Sequence, residues 1–383
     1  MSESKFLHLG LGWIGDCGGG LERYQDGICR AHAAMGYPVE SWNQSRVPIG
    51  IDPGYQAFIY ASPVDKRRFK LRRLRELAER RFRDRNFTFV SHHASVSSSL
   101  VKMLSETPHV IHFQGPWADE SAIEGAPKWK SWLQRRIECR VYHSANRIIT
   151  LSDAFKRLIV ERYGVDEAKV HVIPGGIDTT AADPGVGRIE ARERLGWPKD
   201  RPILLSVRRL VRRVGVDVLV DAVGQIRDRH PDLLTLIGGA GPLKGELERR
   251  ISDNNLGNHV RLLGFIPDEQ LPFAYAAADY SIVPTQGLEG FGLVTIESMA
   301  AGTPSFVTPV GSLPEIVTPL CKNLLLPGSD AHNIAEGVSQ ILGGLLKVPD
   351  ADHCKRYVRE YFDWSVIAPR VLGMYESASK FGQ

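Results

Sequence analysis

The chain has 383 residues, 43% of them hydrophobic and 24% charged, with a net charge of +4. That balance is typical of a globular protein with room for two domains. No apolar run approaches the roughly 20 residues that span a bilayer, and the N-terminus lacks a signal-peptide pattern. Five cysteines (Cys17, Cys29, Cys139, Cys321 and Cys354) are scattered without a Cys-x-x-Cys pair. They predict free thiols in a reducing cytoplasm rather than disulfides or a zinc site.

Short apolar runs alternate with longer amphipathic stretches. In chain order the predicted strands are Phe6–Leu9, Val39–Trp42, Phe58–Ala61, Phe87–Ser91, Val110–Phe113 and Ile148–Leu151. A segment rich in Gly, Thr, Asp and Pro, Gly175–Arg188, then reads as a linker. A second set follows: Ile203–Val207, Leu233–Ile237, Val260–Leu263, Tyr280–Val283, Ser305–Thr308 and Asn323–Leu326. Strand–helix alternation predicts α/β architecture with parallel sheets covered on both faces. Two sets of strands predict two such domains.

The first strand runs into Gly10-Leu-Gly12-Trp-Ile-Gly15, a formal dinucleotide fingerprint. That motif needs a helix to open around its second glycine. Here Asp16, Cys17, Gly18, Gly19 and Gly20 follow, and no helix is expected before Leu21. A nicotinamide oxidoreductase is therefore a weak alternative. Between Lys66 and Arg85 eleven basic residues face Glu76, Glu79 and Asp84, with Leu71, Leu74, Ala78 and Phe82 at helical spacing. Such a helix suits an anionic membrane surface, or else packs its apolar stripe on its own domain. A second basic stretch, Lys128 to Arg140, carries Trp129 and Trp132. No nucleic-acid module accompanies this charge. His92 and His93 are adjacent on a strand end, so they face opposite ways and make a poor metal pair. Asp350-Ala-Asp352, after Pro349, reads as an exposed turn rather than a metal motif. No metal site is expected.

The richest segment is Pro284-Thr-Gln-Gly-Leu-Glu289-Gly-Phe-Gly292-Leu-Val-Thr-Ile-Glu297-Ser-Met-Ala-Ala-Gly302-Thr-Pro304. It reads as a strand ending at Pro284, a glycine loop, and a helix from near Gly292 to near Gly302. A helix N-terminus after a glycine loop is a ready anion site, and phosphate is its common tenant. Glu289 and Glu297 bracket it, roughly 7 Å or more apart at about 1.5 Å rise per residue. Carboxylates repel phosphate but accept from hydroxyls. Phosphate in the middle with polyols at both ends describes a nucleotide sugar.

Glu289-x7-Glu297 with Ala300-x-Gly302-x-Pro304 resembles the signature of the retaining glycosyltransferases of family 4, which have the GT-B fold. Ile173–Asp178, Ser206–Leu210 with Gly215, Ile237–Leu243, Arg261–Phe265 and Ala277–Asp279 resemble further family segments in order. The likeness covers nearly the whole chain and is strongest from about residue 150 to 330.

The resemblance implies two Rossmann-like domains facing across a ligand cleft. Residues 1–178 would form the acceptor side, rejoined by the last helix, 366–383. Residues 190–365 would bind the nucleotide sugar. It also implies site residues. Glu297 would bind the ribose and Glu289 the donor sugar. The backbone of Phe291, Gly292 and Leu293 would meet sugar and phosphate, and Gly264 and Phe265 would pass the base. Gly19 and Gly20 belong to a loop reaching towards the diphosphate. Arg209 would stabilise the leaving diphosphate. The family's lysine before Gly215 is Val214 here, so Arg213 or Arg212 is a candidate substitute. At the family's sugar-contacting histidine stands Gln114, with His112 two residues earlier on the same side of the strand.

The implied reaction moves a hexosyl unit from a UDP- or GDP-sugar to a hydroxyl of a saccharide or lipid-linked acceptor, as in bacterial polysaccharide assembly. No nucleophilic carboxylate is evident, so same-face attack is expected, without metal or other cofactor. The expected place is the cytoplasm, including the inner face of the membrane through residues 66–85. A non-catalytic nucleotide-sugar-binding protein is the main alternative.

Overall fold

Hydrophobic runs too short for helices form the strands, and the amphipathic stretches between them cover both sheet faces. The structure is a computed structural model and describes residues 5–16, 18–83 and 86–380. Cys17, Asp84 and Arg85 lie outside the described residues. The chain divides into unit 1, Met1–Gly176 with Trp364–Gln383, and unit 2, Ile177–Asp363.

Unit 1 holds a parallel sheet of β1 (Lys5–Leu9), β2 (Val39–Gln44), β3 (Gln56–Ala61), β4 (Phe87–Ser91), β5 (His109–Phe113), β6 (Arg147–Thr150) and β7 (Val170–Val172). Their order is β3-β2-β1-β4-β5-β6-β7. β7 was not among the predicted strands. It is a three-residue edge strand, and its alternation is too short to stand out. Period-two alternation sorts the strands' side chains by face. Phe6, Val90, Val110 and Ile149 pack under Ile28 and Cys29 of the helix Gly20–Ala34, and under Ile367, Val371 and Tyr375 of the helix Trp364–Ser379. On the other face, Leu7, Leu9 and Phe89 take Leu74, Ala78 and Phe82. Ile111, Phe113 and Ile148 take Val141 and Tyr142 of the helix Lys128–His143. The register Leu7↔Phe89, Ser91↔Ile111 and Ile111↔Ile148 puts these last two groups on one side of the sheet.

Trp364 explains two glycines of unit 1. A Cβ on Gly27 would stand 2.4 Å from its Nε1, and one on Gly176 2.6 Å from its Cε3. Only glycine leaves room for the indole at both places.

Unit 2 holds β8 (Ile203–Val207), β9 (Leu234–Gly238), β10 (Val260–Gly264), β11 (Tyr280–Val283) and β12 (Ser305–Val307), all parallel, in the order β10-β9-β8-β11-β12. The sixth predicted strand, Asn323–Leu326, is absent. Lys322–Leu324 is a 3-10 turn, and Leu325 makes one isolated bridge to Val307 before Pro327. Leu324 and Leu326 are buried on either side of half-buried Leu325, which mimics strand alternation.

Candidate donor-binding site

β11 ends at Val283, and the helix Leu293–Ala300 begins after a nine-residue loop that runs from Pro284 to Gly292. Gly292 has φ +78° and is the residue before the first helical turn. The loop between is held under strain. Leu288 has φ +54°, which L-residues rarely adopt. Arg213 donates to its carbonyl over 3.3 Å, and the Gln286 amide donates to the Arg213 carbonyl over 2.8 Å. Gly311 supports the loop from the other side. At φ +59°, a Cβ there would lie 2.2 Å from the Glu289 carbonyl.

Glu289 is nearly buried, with 11% of its side chain exposed. Its Oε2 accepts from Arg208 Nη2 and, over 3.0 Å, from Thr285 Oγ1. Arg208 also donates to Thr285 Oγ1 over 3.2 Å. The other oxygen, Oε1, accepts no hydrogen bond among the described residues. Burial pushes the Glu289 carboxyl upward, but the Arg208 charge and hydrogen bond outweigh it, helped by Arg213 and Thr285. The net shift is downward, so this buried carboxylate is ionised with one oxygen uncommitted. Glu297, half-buried one turn into the helix, accepts from Tyr275 Oη over 3.3 Å.

The arginines after β8 diverge. Arg208 pairs with Glu289. Arg209 is exposed. Arg212 turns outward to Glu246, at 2.8 Å. Arg213 turns inward to the Glu289 loop. Val214 is buried and precedes Gly215, whose Cβ would meet the Pro284 carbonyl at 2.0 Å. Arg208 stands with Arg209, Arg212 and Arg213 at the end of β8 in the sequence, which does not reveal its pairing with Glu289. Gly264 has φ +72°, and its carbonyl accepts from the Gly239 amide over 2.6 Å. The Phe265 ring beside it stands 67% exposed. Phe291 is buried, its ring against Phe362, and Leu293 opens the helix half-buried.

In unit 1 the loop after β1 runs to Gly19, and the helix starts at Gly20, ten residues beyond the strand. The dinucleotide turn has no counterpart in so long a loop. Asp16 is tied to Arg46 at 2.9 Å, and Arg23 Nε donates to the Gly18 carbonyl over 3.1 Å. Gln114 is half-buried just past β5 and contacts His92 Nδ1 at 3.3 Å. His112 lies in the core, its two ring nitrogens 2.9 Å from Tyr24 Oη and 2.7 Å from Tyr375 Oη. His93 caps the turn Ala94–Ser97. Asp350 likewise caps the helix Ala351–Phe362, accepting from the His353 amide over 2.9 Å. Among the described residues no cluster of three His, Cys, Asp or Glu could hold a metal. Cys29, Cys139, Cys321 and Cys354 are free.

Residues 187–360 match the family model of the glycosyl transferases group 1, and residues 18–181 that of Glycosyltransferase Family 4. A D-inositol 3-phosphate glycosyltransferase of Corynebacterium jeikeium is 32% identical over 74% of this chain and 70% of its own length. An MMP alpha-(1->4)-mannosyltransferase of Mycolicibacterium hassiacum is 26% identical over 94% of this chain and 95% of its own. An uncharacterised glycosyltransferase of Methanocaldococcus jannaschii is 30% identical over 61% of this chain, a stretch spanning 60% of that relative. Among solved structures, a sucrose-phosphate synthase from Thermosynechococcus elongatus superposes with TM-score 0.81, at 23% identity and 98% coverage of both chains. HepE of Anabaena, solved with UDP-glucose, gives TM-score 0.78 at 18% identity, covering 97% of this chain and 99% of its own. The fold class is thus that of the GT-B glycosyltransferases, two Rossmann-like halves with parallel sheets. The chain belongs to glycosyltransferase family 4.

Proposed function

We propose that the chain is a retaining hexosyltransferase that uses a UDP- or GDP-sugar and a hydroxyl acceptor. The observation that carries this reading is Glu289: buried, ionised, one oxygen locked by Arg208 and Thr285, the other uncommitted at the head of a helix. An ionised acceptor in that place suits sugar hydroxyls, while the helix N-terminus suits phosphate. Glu297 takes the ribose, Gly264 and Phe265 flank the base, and the backbone of Phe291, Gly292 and Leu293 meets the diphosphate. Gly19 and Gly20 add backbone amides, and Gln114 meets the donor sugar. Arg209 and Arg213 neutralise the departing diphosphate, with Arg213 in place of the lysine that Val214 lacks. These cations and the helix end take the part a divalent ion would otherwise play. Attack comes from the face of departure, and the leaving phosphate takes the acceptor proton. The solved neighbour with UDP-glucose supports the donor class.

A thermal-shift panel with UDP, GDP, ADP and NAD, each with and without Mg²⁺, tests the donor. A ligand that binds only the folded state raises its melting temperature, by about 2.7 kcal/mol of stability at 100 Kd. One nucleoside diphosphate should stabilise the protein without metal. A shift with NAD alone would overturn the reading. Val214 favours the alternative of a nucleotide-sugar-binding protein without turnover. Sugar transfer to any acceptor excludes that alternative.

The acceptor is proposed to be a saccharide or lipid-linked saccharide presented at the cytoplasmic face of a membrane. The helix Arg67–Arg81 carries eight basic and two acidic residues, an excess larger than the net +4 of the chain. Its apolar stripe is spent on the core through Leu74 and Ala78, so what it exposes is mainly charge, with Phe69 38% exposed beside it. The helix Lys128–His143, on the same side of the sheet, adds Trp129 and Trp132, 68% and 58% exposed. Cations with interfacial tryptophans suit anionic headgroups. No helix of the described residues is long and apolar enough to cross a membrane. The protein should float with vesicles containing anionic lipid at low salt and be released at high salt. Failure to float at low salt would remove the membrane from the reading.

A further inference from the structure

His8, His92 and His112 come from three neighbouring strand ends of unit 1. His8 lies on β1, His92 just past β4 and His112 on β5. Their rings are nearly parallel. His8 and His92 are 5.2 Å apart at 18°, and His92 and His112 are 4.8 Å apart at 14°. All three are buried. Burial, reinforced by one another's proximity, holds each well below the ordinary imidazole value. Each is therefore neutral, with one N–H and one lone pair.

His112 is saturated by two tyrosine hydroxyls, which rotate to suit either tautomer. His92 and His8 have no such freedom. Gln114 Nε2 lies 3.3 Å from His92 Nδ1, and His92 Nε2 lies 2.9 Å from His8 Nδ1. His8 Nε2 is buried, with no hydrogen-bond partner among the described residues. Protons in such a chain are set in step. If Gln114 donates to His92 Nδ1, the His92 proton sits on Nε2 and is donated to His8 Nδ1. The His8 proton then sits on Nε2. In the opposite order His92 Nδ1 donates, and Gln114 must turn its carbonyl inward to accept. The direction of the chain thus decides which end of the Gln114 amide faces outward.

We propose that His92, held by His8, is a positioning residue. It draws the Gln114 N–H inward, so that Gln114 presents its carbonyl Oε1 to a sugar hydroxyl. This rests on the reading of Gln114 as a donor-sugar contact. A carbonyl facing outward accepts a hydroxyl proton. An NH₂ group facing outward could only donate to a hydroxyl oxygen, which is a different recognition of the same sugar.

The tautomers are read directly from imidazole nitrogen shifts of the full chain labelled with ¹⁵N-histidine, assigned with His8→Phe and His92→Phe. The expected pattern is a bare Nδ1 and a protonated Nε2 on both His92 and His8. A proton on His92 Nδ1, or a charged His92, overturns the proposal. The functional arm is a double-mutant cycle measured with a sugar of the nucleoside diphosphate that stabilises the protein. His92→Phe should lower kcat/KM about tenfold and leave the thermal shift with the nucleoside diphosphate alone unchanged. Added to Gln114→Ala it should cost nothing further. Losses that multiply would show that His92 does not act through Gln114. If Gln114→Ala leaves kcat/KM unchanged, the donor-contact reading fails and the positioning role with it, whatever the nitrogen shifts report.

Discussion

Arg213→Ala is expected to lower kcat by roughly 10²–10³-fold, the usual loss when one preorganised donor to a developing charge is removed. Arg212→Ala should change it little. The two arginines are adjacent, and the contrast comes from where the fold sends them. Arg212 is 59% exposed and spends its charge on Glu246 and Asp217. Surface pairs of that kind contribute about 0–1 kcal/mol. Arg213 instead donates to the Leu288 carbonyl, and its own carbonyl accepts from the Gln286 amide. Its guanidinium is therefore fixed before any ligand arrives, and fixed donors cost no reorganisation as charge builds on the diphosphate. Arg209→Ala should also be severe, because Arg209 is exposed just past β8 and its side chain has no partner among the described residues. Steady-state turnover with the stabilising nucleoside diphosphate's sugar measures all three. Equal and small losses at Arg209 and Arg213 would remove leaving-group stabilisation from this region.

The parts of the fold that repeat a strong local pattern were legible in the sequence. β11, Pro284, the glycine loop and the helix Leu293–Ala300 form where composition places them, because a breaker, positive-φ glycines and an apolar helix agree there. The helix after the first glycine loop starts at Gly20, one residue before the expected limit of Leu21. Short pairings were not legible. β7 and the 322–326 segment each have three to five residues, and neighbours in space decide whether such a run joins a sheet. The site was legible in its residues but not in its pairings. Nothing in Ser206–Leu210 says that Arg208 rather than Arg209 reaches Glu289, since strand alternation becomes uncertain where a strand ends. His112 shows the same limit. It does share a side with Gln114, but two tyrosines distant in sequence claim its nitrogens.

Arg208→Met is expected to give the enzyme an acid limb in kcat/KM that the wild type lacks. Arg208 and Glu289 have side chains only 9% and 11% exposed, so the Glu289 carboxylate depends on Arg208 to stay ionised, and the Arg208 guanidinium on Glu289 to be compensated. In the wild type Glu289 titrates below the ordinary carboxyl value of 4.5. A depressed carboxyl contributes stability that is present above its unfolded value and lost as pH falls through the folded one. The wild-type pair is therefore intact at neutral pH and weakens only in acid. Without Arg208, burial becomes the dominant influence and raises Glu289, at about 1.4 kcal/mol per unit. Stability should then improve as pH falls, opposite to the wild-type trend, because protonation relieves the buried charge. Activity should fall over the same range, because a protonated Glu289 loses acceptor strength towards the sugar. Arg208→Lys keeps a cation and should restore much of the flat profile. Glu289→Gln should be the more damaging half of the pair. It strands a buried guanidinium that does not shed its proton, a loss of roughly 3–5 kcal/mol for a broken buried pair. Melting temperatures and kcat/KM from pH 5 to 9 for the three variants measure the asymmetry. An Arg208→Met enzyme with the wild-type pH profile would mean that another cation, with Arg213 the nearest candidate, sets the charge of Glu289.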